Sequence, residues 1–312
     1  MKAFDLVVAG ELNPDLVLSG DVVPAFGQVE QLVDKANLTI GSSAAIFACG
    51  AARLGLRVSF IGLVGDDVFG NFMLAALKER QVDTSGVVVS AGVQTGFSVL
   101  LTRGSDRAIL TFPGSIPLLK MADIDLSIID SARHLHLGSY FLLDELRQDI
   151  PVLFKHAREC GATISLDTNY DPSERWDGGL ADCLTLCDIF LPNEKECTAI
   201  AHQEDIEGAM AYFSPVVPTL VVKMGEAGAL AQTKGKIVRS GTLPVNVVDT
   251  VGAGDSFDAG YIYGFLNDWD IERSLRLACV CGALSTQAAG GTNAQPTLAE
   301  ALPEMARLEN TI

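Results

Sequence analysis

Short apolar runs alternate along this chain with stretches of helical periodicity, and that rhythm limits the possible folds more than any other feature. Residues 6–9, 58–64, 134–137, 163–166, 189–191 and 220–222 read as buried strands. Between them, 44–54, 69–80, 143–159, 194–201 and 206–213 place apolar side chains at helical spacing. Alternation of this kind builds βαβ units, so the expected class is α/β, with a mainly parallel central sheet and helices on both faces. The last third turns helical, with candidates at 255–266, 271–289 and 297–308. The 312 residues exceed the roughly 150 of an average domain. No low-complexity linker or internal repeat divides them, and one domain over 1–312 is expected.

Two stretches break the rhythm. Residues 15–40 and 93–113 are short strand-like pieces joined by Gly, Pro and Asp turns. Such strands need a partner surface, so the two segments are expected to pair into a small second sheet, a lid of about 12–40 and 93–114 beside the strand C-termini.

Composition narrows the partners. A hydrophobic fraction of 48% with 30 Gly describes a globular chain with many turns. The 22 Lys and Arg stand against 39 Asp and Glu, a net charge of −17, and a chain so acidic lacks the broad positive field that gathers nucleic acid. The best apolar run, 44–52, is cut off by Arg53, short of the ~20 residues that cross a bilayer. The first ten residues lack the basic start and long apolar stretch of an export signal, and a cytoplasmic location without membrane partners is expected. Seven cysteines include no C-x-x-C pair, so neither a zinc site nor a disulfide scaffold is expected. Cys183 and Cys187, at i and i+4, read as small core residues.

The densest chemistry lies in DTVGAGDSFDAGYIYGF from Asp249 to Phe265. A strand ending near Val248 is expected to run into Gly252, Ala253 and Gly254 and then into a helix whose Ser256, Ala259, Gly260 and Gly264 allow close packing. A glycine turn at a helix start gathers free N–H groups at the positive end of the helix dipole, a seat for phosphate or a developing anion. Asp255 follows at once; a carboxylate beside an anion seat either caps the helix or handles a nearby proton, and this residue alone leaves both open. No G-x-G-x-x-G or G-x-x-x-x-G-K-[ST] occurs, which removes the main support for a dehydrogenase or a P-loop enzyme.

DTVGAGDSFDAGYI resembles the C-terminal signature of the ribokinase-like, or PfkB, carbohydrate kinases. GLVGDDVFG at 62–70, NEKE at 193–196, VVKMGEAGAL at 221–230, GELNPD at 10–15 and QTGFSVLL at 94–101 are similar to further family segments in the same order, so the resemblance spans nearly the whole chain. It implies a ribokinase-like fold, a β lid that often makes a homodimer contact, and ATP with Mg2+ as cofactors. By the same resemblance Asp255 is the catalytic base and Gly252, Ala253 and Gly254 form the anion hole. Asn193 lies at the nucleotide phosphates, and Glu196 organises Mg2+ through water; the alternative for this pair is a helix capping box. Lys223, Gly225, Glu226 and Gly228 lie under the nucleotide, with Lys223 either reaching phosphate or ending a strand. Asp249 matches an acidic position beside a potassium-type ion.

At the substrate end, Asn13 and Asp15 match an N-x-D arrangement that receives sugar hydroxyls, followed by Gly41 and Ser42 where relatives carry Gly-Gly. Ile46 stands where an Asn is common, which implies a more apolar pocket and opens a ribonucleoside as substrate. Asp171 stands where relatives have an Arg that pairs with a substrate carboxylate, which counts against a 2-keto-3-deoxygluconate-type sugar acid. Arg103 and Arg107 read as a solvated turn, and His134 and His136 as core or surface residues on different sides of their strand. The expectation is a kinase that phosphorylates a hydroxyl, primary by preference, of a small neutral sugar. A ribonucleoside kinase, a sugar-acid kinase and a silent sugar- or nucleotide-binding protein are the alternatives.

Overall fold

The computed structural model describes residues 2–103 and 106–309, so the lid positions 104 and 105 and the ends of the chain lie outside the described residues. In chain order the strands and helices are β1 (Phe4–Ala9), β2 (Pro14–Ser19), β3 (Lys35–Ile40), α1 (Ser43–Arg53), β4 (Val58–Gly65), α2 (Val68–Glu79), β5 (Val82–Ser90), β6 (Phe97–Arg103) and β7 (Asp106–Phe112). There follow α3 (Leu126–Asp130), β8 (Ala132–Leu137), α4 (Ile150–Glu159), β9 (Thr163–Leu166), α5 (Leu180–Leu184), β10 (Ile189–Phe190), α6 (Glu194–Ala201) and α7 (Ile206–Phe213). The chain closes with β11 (Thr219–Lys223), β12 (Ala229–Thr233), β13 (Lys236–Ser240), α8 (Ala253–Leu266), α9 (Ile271–Ser285) and α10 (Leu298–Glu309).

The large sheet has nine strands in the order β13-β12-β11-β10-β9-β8-β1-β4-β5. From β11 to β5 every pairing is parallel, and β12 and β13 add an antiparallel edge. Side chains alternate across the sheet as the pleat requires: Leu6 and Val8 enter the core shared with α1, α8 and α9, while Val7 and Ala9 enter the core shared with α4 and α7. Cys183 and Cys187 are free, buried members of this second core. The two segments that break the rhythm do pair with each other, as the four-stranded sheet β3-β2-β6-β7.

Several local readings change. The apolar spacing of Leu143, Leu146 and Ile150 imitates a helix, yet α4 starts only at Ile150, with Pro151 in its first turn, where the missing N–H costs nothing. The run before Gly252 is no strand: Pro244 interrupts it, and Val248 and Asp249 instead both donate to Thr286 O, at 2.8 and 3.0 Å. α9 ends at Ser285, short of 289. The packing reading of α8 stands: a Cβ on Gly260 would come within 2.9 Å of Ala278 Cα on α9.

Candidate active site

Loops at the C-terminal ends of β1, β8, β9, β10 and β11 converge with the start of α8, the edge where open α/β sheets present chemistry. Asp255 lies in the first turn of α8 and does not cap it; Gly252 holds the cap position at φ +72°. A Cβ there would stand 2.8 Å from both Gly291 Cα and Ile46 Cγ2, so the turn closes only around glycine. The Ala253 amide turns back to Thr250 O at 3.3 Å, whereas the amides of Gly252, Gly254 and Asp255 have no partner among the described residues. Of the three expected anion-hole positions Ala253 is thus partly occupied, and Asp255 adds its own N–H.

The Asp255 carboxylate is buried and accepts a hydrogen bond from the Ser43 hydroxyl at the start of α1. Burial pushes its pKa up to about 7; the Ser43 bond opposes this, the Asp167 charge adds to it, Lys223 opposes and Glu11 adds. A base with that pKa is poised near neutral pH. Glu11, on the loop after β1, is also raised to about 7 by burial, and its Oε2 has no partner among the described residues.

Asp15 and Asn13 come to the same edge through β2 and the turn before it. Both are buried, and neither side chain has a hydrogen-bond partner among the described residues. Burial raises Asp15 to about 7, against Arg107 and with Asp249. Gly41 leaves room for that carboxylate, which a Cβ would strike. Ser42 adopts φ +62°, which explains why glycine suits this position. Ser42 also caps α1, accepting from Ala45 N at 3.0 Å and donating to Glu11 O at 2.5 Å.

Lys223 neither reaches outward nor merely ends its strand. Its ammonium bridges Asp167 Oδ2 at 2.8 Å and Asp258 Oδ2 at 2.9 Å. Asp258 lies one helical turn beyond Asp255, is 1% exposed, and leaves Oδ1 unpartnered. Burial drives Asp258 well above the carboxylate range; burial pushes Asp167 the same way, but Lys223 holds it below its ordinary value. Lys223 thus favours the charged form of Asp167, while burial disfavours that of Asp258.

Asn193 and Glu196 form the capping box: Asn193 Oδ1 accepts from Glu196 N, and Glu196 Oε2 accepts from Asn193 N, both at 2.9 Å. The same Glu196 is buried beside Asp167, and burial with that charge lifts it to about 7. Capping uses Asn193 Oδ1 and Glu196 Oε2 and leaves Asn193 Nδ2 and Glu196 Oε1 uncommitted among the described residues. Gly225 is open on its free side, but Gly228 is glycine because a Cβ at its φ of +85° would strike Ser240 O. The close approach that Gly228 permits is thus to its own chain. Glu226 is exposed in the turn between them.

The other residues singled out from the sequence take these places. Ile46 is 3% exposed and packs against Gly252 and Gly291. Asp171 faces no substrate: it accepts from the amides of Ser173, Arg175 and Trp176 at 2.8, 3.0 and 2.7 Å. Arg107 reaches from β7 to Thr250 Oγ1 at 3.3 Å and lies 3.6 Å from Asp249. Asp249 Oδ1 accepts from Val251 N and Oδ2 from Gly290 N, which leaves each oxygen a further lone pair. His134 and His136, two residues apart, share one face and both meet Ser165 Oγ, at 2.7 and 2.8 Å.

Residues 3–298 match the profile of the pfkB family carbohydrate kinases. The chain belongs to this family. It is 32% identical over 286 residues to fructokinase-2 of Solanum habrochaites, covering 84% of this chain and 85% of that one. It is 30% identical over 278 residues to 5-dehydro-2-deoxygluconokinase of Geobacillus kaustophilus strain HTA426, covering 84% and 83%. The crystal structure of a fructokinase with bound ATP from Xylella fastidiosa shares the fold, with a TM-score of 0.84 over 98% of this chain and 99% of that one, at 22% identity. The protein is a sugar kinase with a ribokinase-like fold, and among the described residues no helix is long and apolar enough to cross a membrane.

Proposed function

We propose that this sugar kinase transfers the γ-phosphoryl group of ATP to a hydroxyl, primary by expectation, of a small neutral sugar. Asp255 takes the hydroxyl proton as the sugar oxygen attacks the γ-phosphorus, and ADP leaves from the opposite side. The amides of Gly252, Gly254 and Asp255 receive charge on the transferred group. The observation that carries this reading is one helix turn holding both a buried carboxylate raised to about 7 and unpartnered amides. Ser43 stabilises the charged base before transfer. Asp15 and Asn13, buried and without chain partners, are placed to accept and donate to sugar hydroxyls. Mg2+ would supply charge neutralisation on the phosphates, held through water by Glu196, whose carboxylate suits a hard cation, while Asn193 Nδ2 would donate to a phosphate oxygen. A potassium-type ion beside Asp249 would share its carboxylate with the Val251 and Gly290 amides.

The nucleoside reading rests on Ile46, which packs against Gly252 and Gly291. A sugar acid is the second reading: Asp171 no longer opposes it, and Arg107 brings a guanidinium over Asp15 from the small sheet. The test is ADP release from Mg-ATP across neutral pentoses, hexoses, keto-sugar acids and nucleosides. Stimulation by a neutral sugar supports the proposal; stimulation by acids alone, lost in Arg107→Ala, selects the second reading.

A further inference from the structure

At the opposite ends of β8 and β9 from Asp255, three different donors converge on one point. Asp130 ends α3, immediately before β8, while His156 and Cys160 stand at i and i+4 at the end of α4, immediately before β9. His156 Nε2 lies 2.7 Å from Asp130 Oδ1, Cys160 Sγ 3.0 Å from the same oxygen, and Sγ to Nε2 is 3.8 Å. Lys2 pins the two helix ends together, donating to Asp130 O at 2.6 Å and to Cys160 O at 2.9 Å, and so leaves all three donor atoms to one another.

We propose that Asp130, His156 and Cys160 form a binding site for a zinc-class divalent cation, remote from the kinase site and independent of its assignment. Tetrahedral zinc with usual bond lengths spaces a sulfur and a nitrogen about 3.6 Å apart, and an oxygen about 3.4 to 3.6 Å from either. The S···N distance is close to this; Asp130 Oδ1 needs to retreat by about 0.6 to 0.7 Å, which an exposed side chain does freely. Thiolate, imidazole and carboxylate together select a borderline-soft ion over Mg2+. The negative end of the α4 dipole favours a cation at this place. A water completes the fourth position on the exposed side.

Alternative uses of the cluster fit less well. A nucleophilic thiol needs a depressed pKa, whereas the Asp130 carboxylate, with burial and Glu159, raises that of Cys160 against Lys2. His156 does not stand between Cys160 and Asp130 as a relay; both donors meet the same oxygen. Metal binding releases the Sγ proton to solvent, and the ring keeps its proton on Nδ1 when Nε2 ligates.

The experiment is a Co2+ titration of the full chain in excess Mg2+, followed by thiolate-to-cobalt charge-transfer absorption. Cys160 is the one cysteine of the seven that is not buried, so the band reports this thiol. The expected result is a band saturating at one equivalent, displaced by Zn2+, absent in Cys160→Ala, weakened at least about tenfold in affinity in Asp130→Asn and His156→Ala, and unchanged in Asp255→Asn. No band, or a band that survives Cys160→Ala, would overturn the proposal whatever the kinase assays show.

Discussion

Ser43→Ala isolates what tunes the proposed base. The Ser43 hydroxyl donates to Asp255 Oδ1 and is the leading influence against burial on that carboxylate. A hydrogen bond to a charged group contributes about 1.5–3 kcal/mol, or roughly one to two pKa units at 1.36 kcal/mol per unit. From a starting value of about 7, that rise leaves about 1 to 9% of Asp255 ionised at neutral pH instead of half, a loss of about 5- to 50-fold in kcat/KM. The loss should vanish as pH climbs past the new value, because the base itself is intact. α1 keeps its own cap, Ser42, so the helix start is preserved. The assay is initial ADP release at subsaturating sugar across the pH range, whose acid limb in kcat/KM reports the free enzyme. An acid limb that stays in place, or a loss equal at every pH, would refute the argument.

Other consequences follow from the same geometry. Glu196→Gln should raise the Mg2+ concentration needed for half-maximal rate while leaving the α6 cap in place; an unchanged requirement would return Glu196 to capping alone. Lys223→Met strands the Asp167 charge in the interior and should cost about 3–5 kcal/mol in urea unfolding, with part recovered by adding Asp167→Asn. Glu11, Asp15, Glu196 and Asp255 are all raised to about 7. The folded state therefore holds protons that the unfolded chain has lost, so this contribution is full below about pH 4 and disappears as pH rises through 7. Unliganded stability should fall by a few kcal/mol from about pH 5 to 8, read from denaturation midpoints at constant slope, with a shallower fall in Asp255→Asn.

Apolar periodicity made the central strands legible because β8, β9 and β11 are covered on both faces; the run read at 163–166 is β9 itself. β5 escaped because it is an edge strand whose VDTSGVVVS mixes polar and apolar positions, and the β12–β13 hairpin because its outer strand is half exposed. In the site, the helix start at Gly252 was legible from glycine spacing. Its partner Ser43 was not, since nothing local links residues 212 positions apart. The same holds for the Asp167–Lys223–Asp258 bridge, which spans 56 and 35 positions and gives each member a meaning only in the fold. Glu11 sits on a loop whose residue types carry no signal until the strand ends are brought together. Asp171 was misread because its type suggested charge repulsion, when its oxygens in fact hold a turn.

The central claim is that Asp255 is the base of a phosphoryl transfer. Asp255→Asn keeps the volume and the adjacent amides and removes proton acceptance, so the most direct measurement is turnover of this variant on the best sugar, alongside ATP affinity by calorimetry. The account predicts a fall of about 10²- to 10⁴-fold in kcat with ATP affinity nearly unchanged. Near-normal turnover in the variant would contradict it.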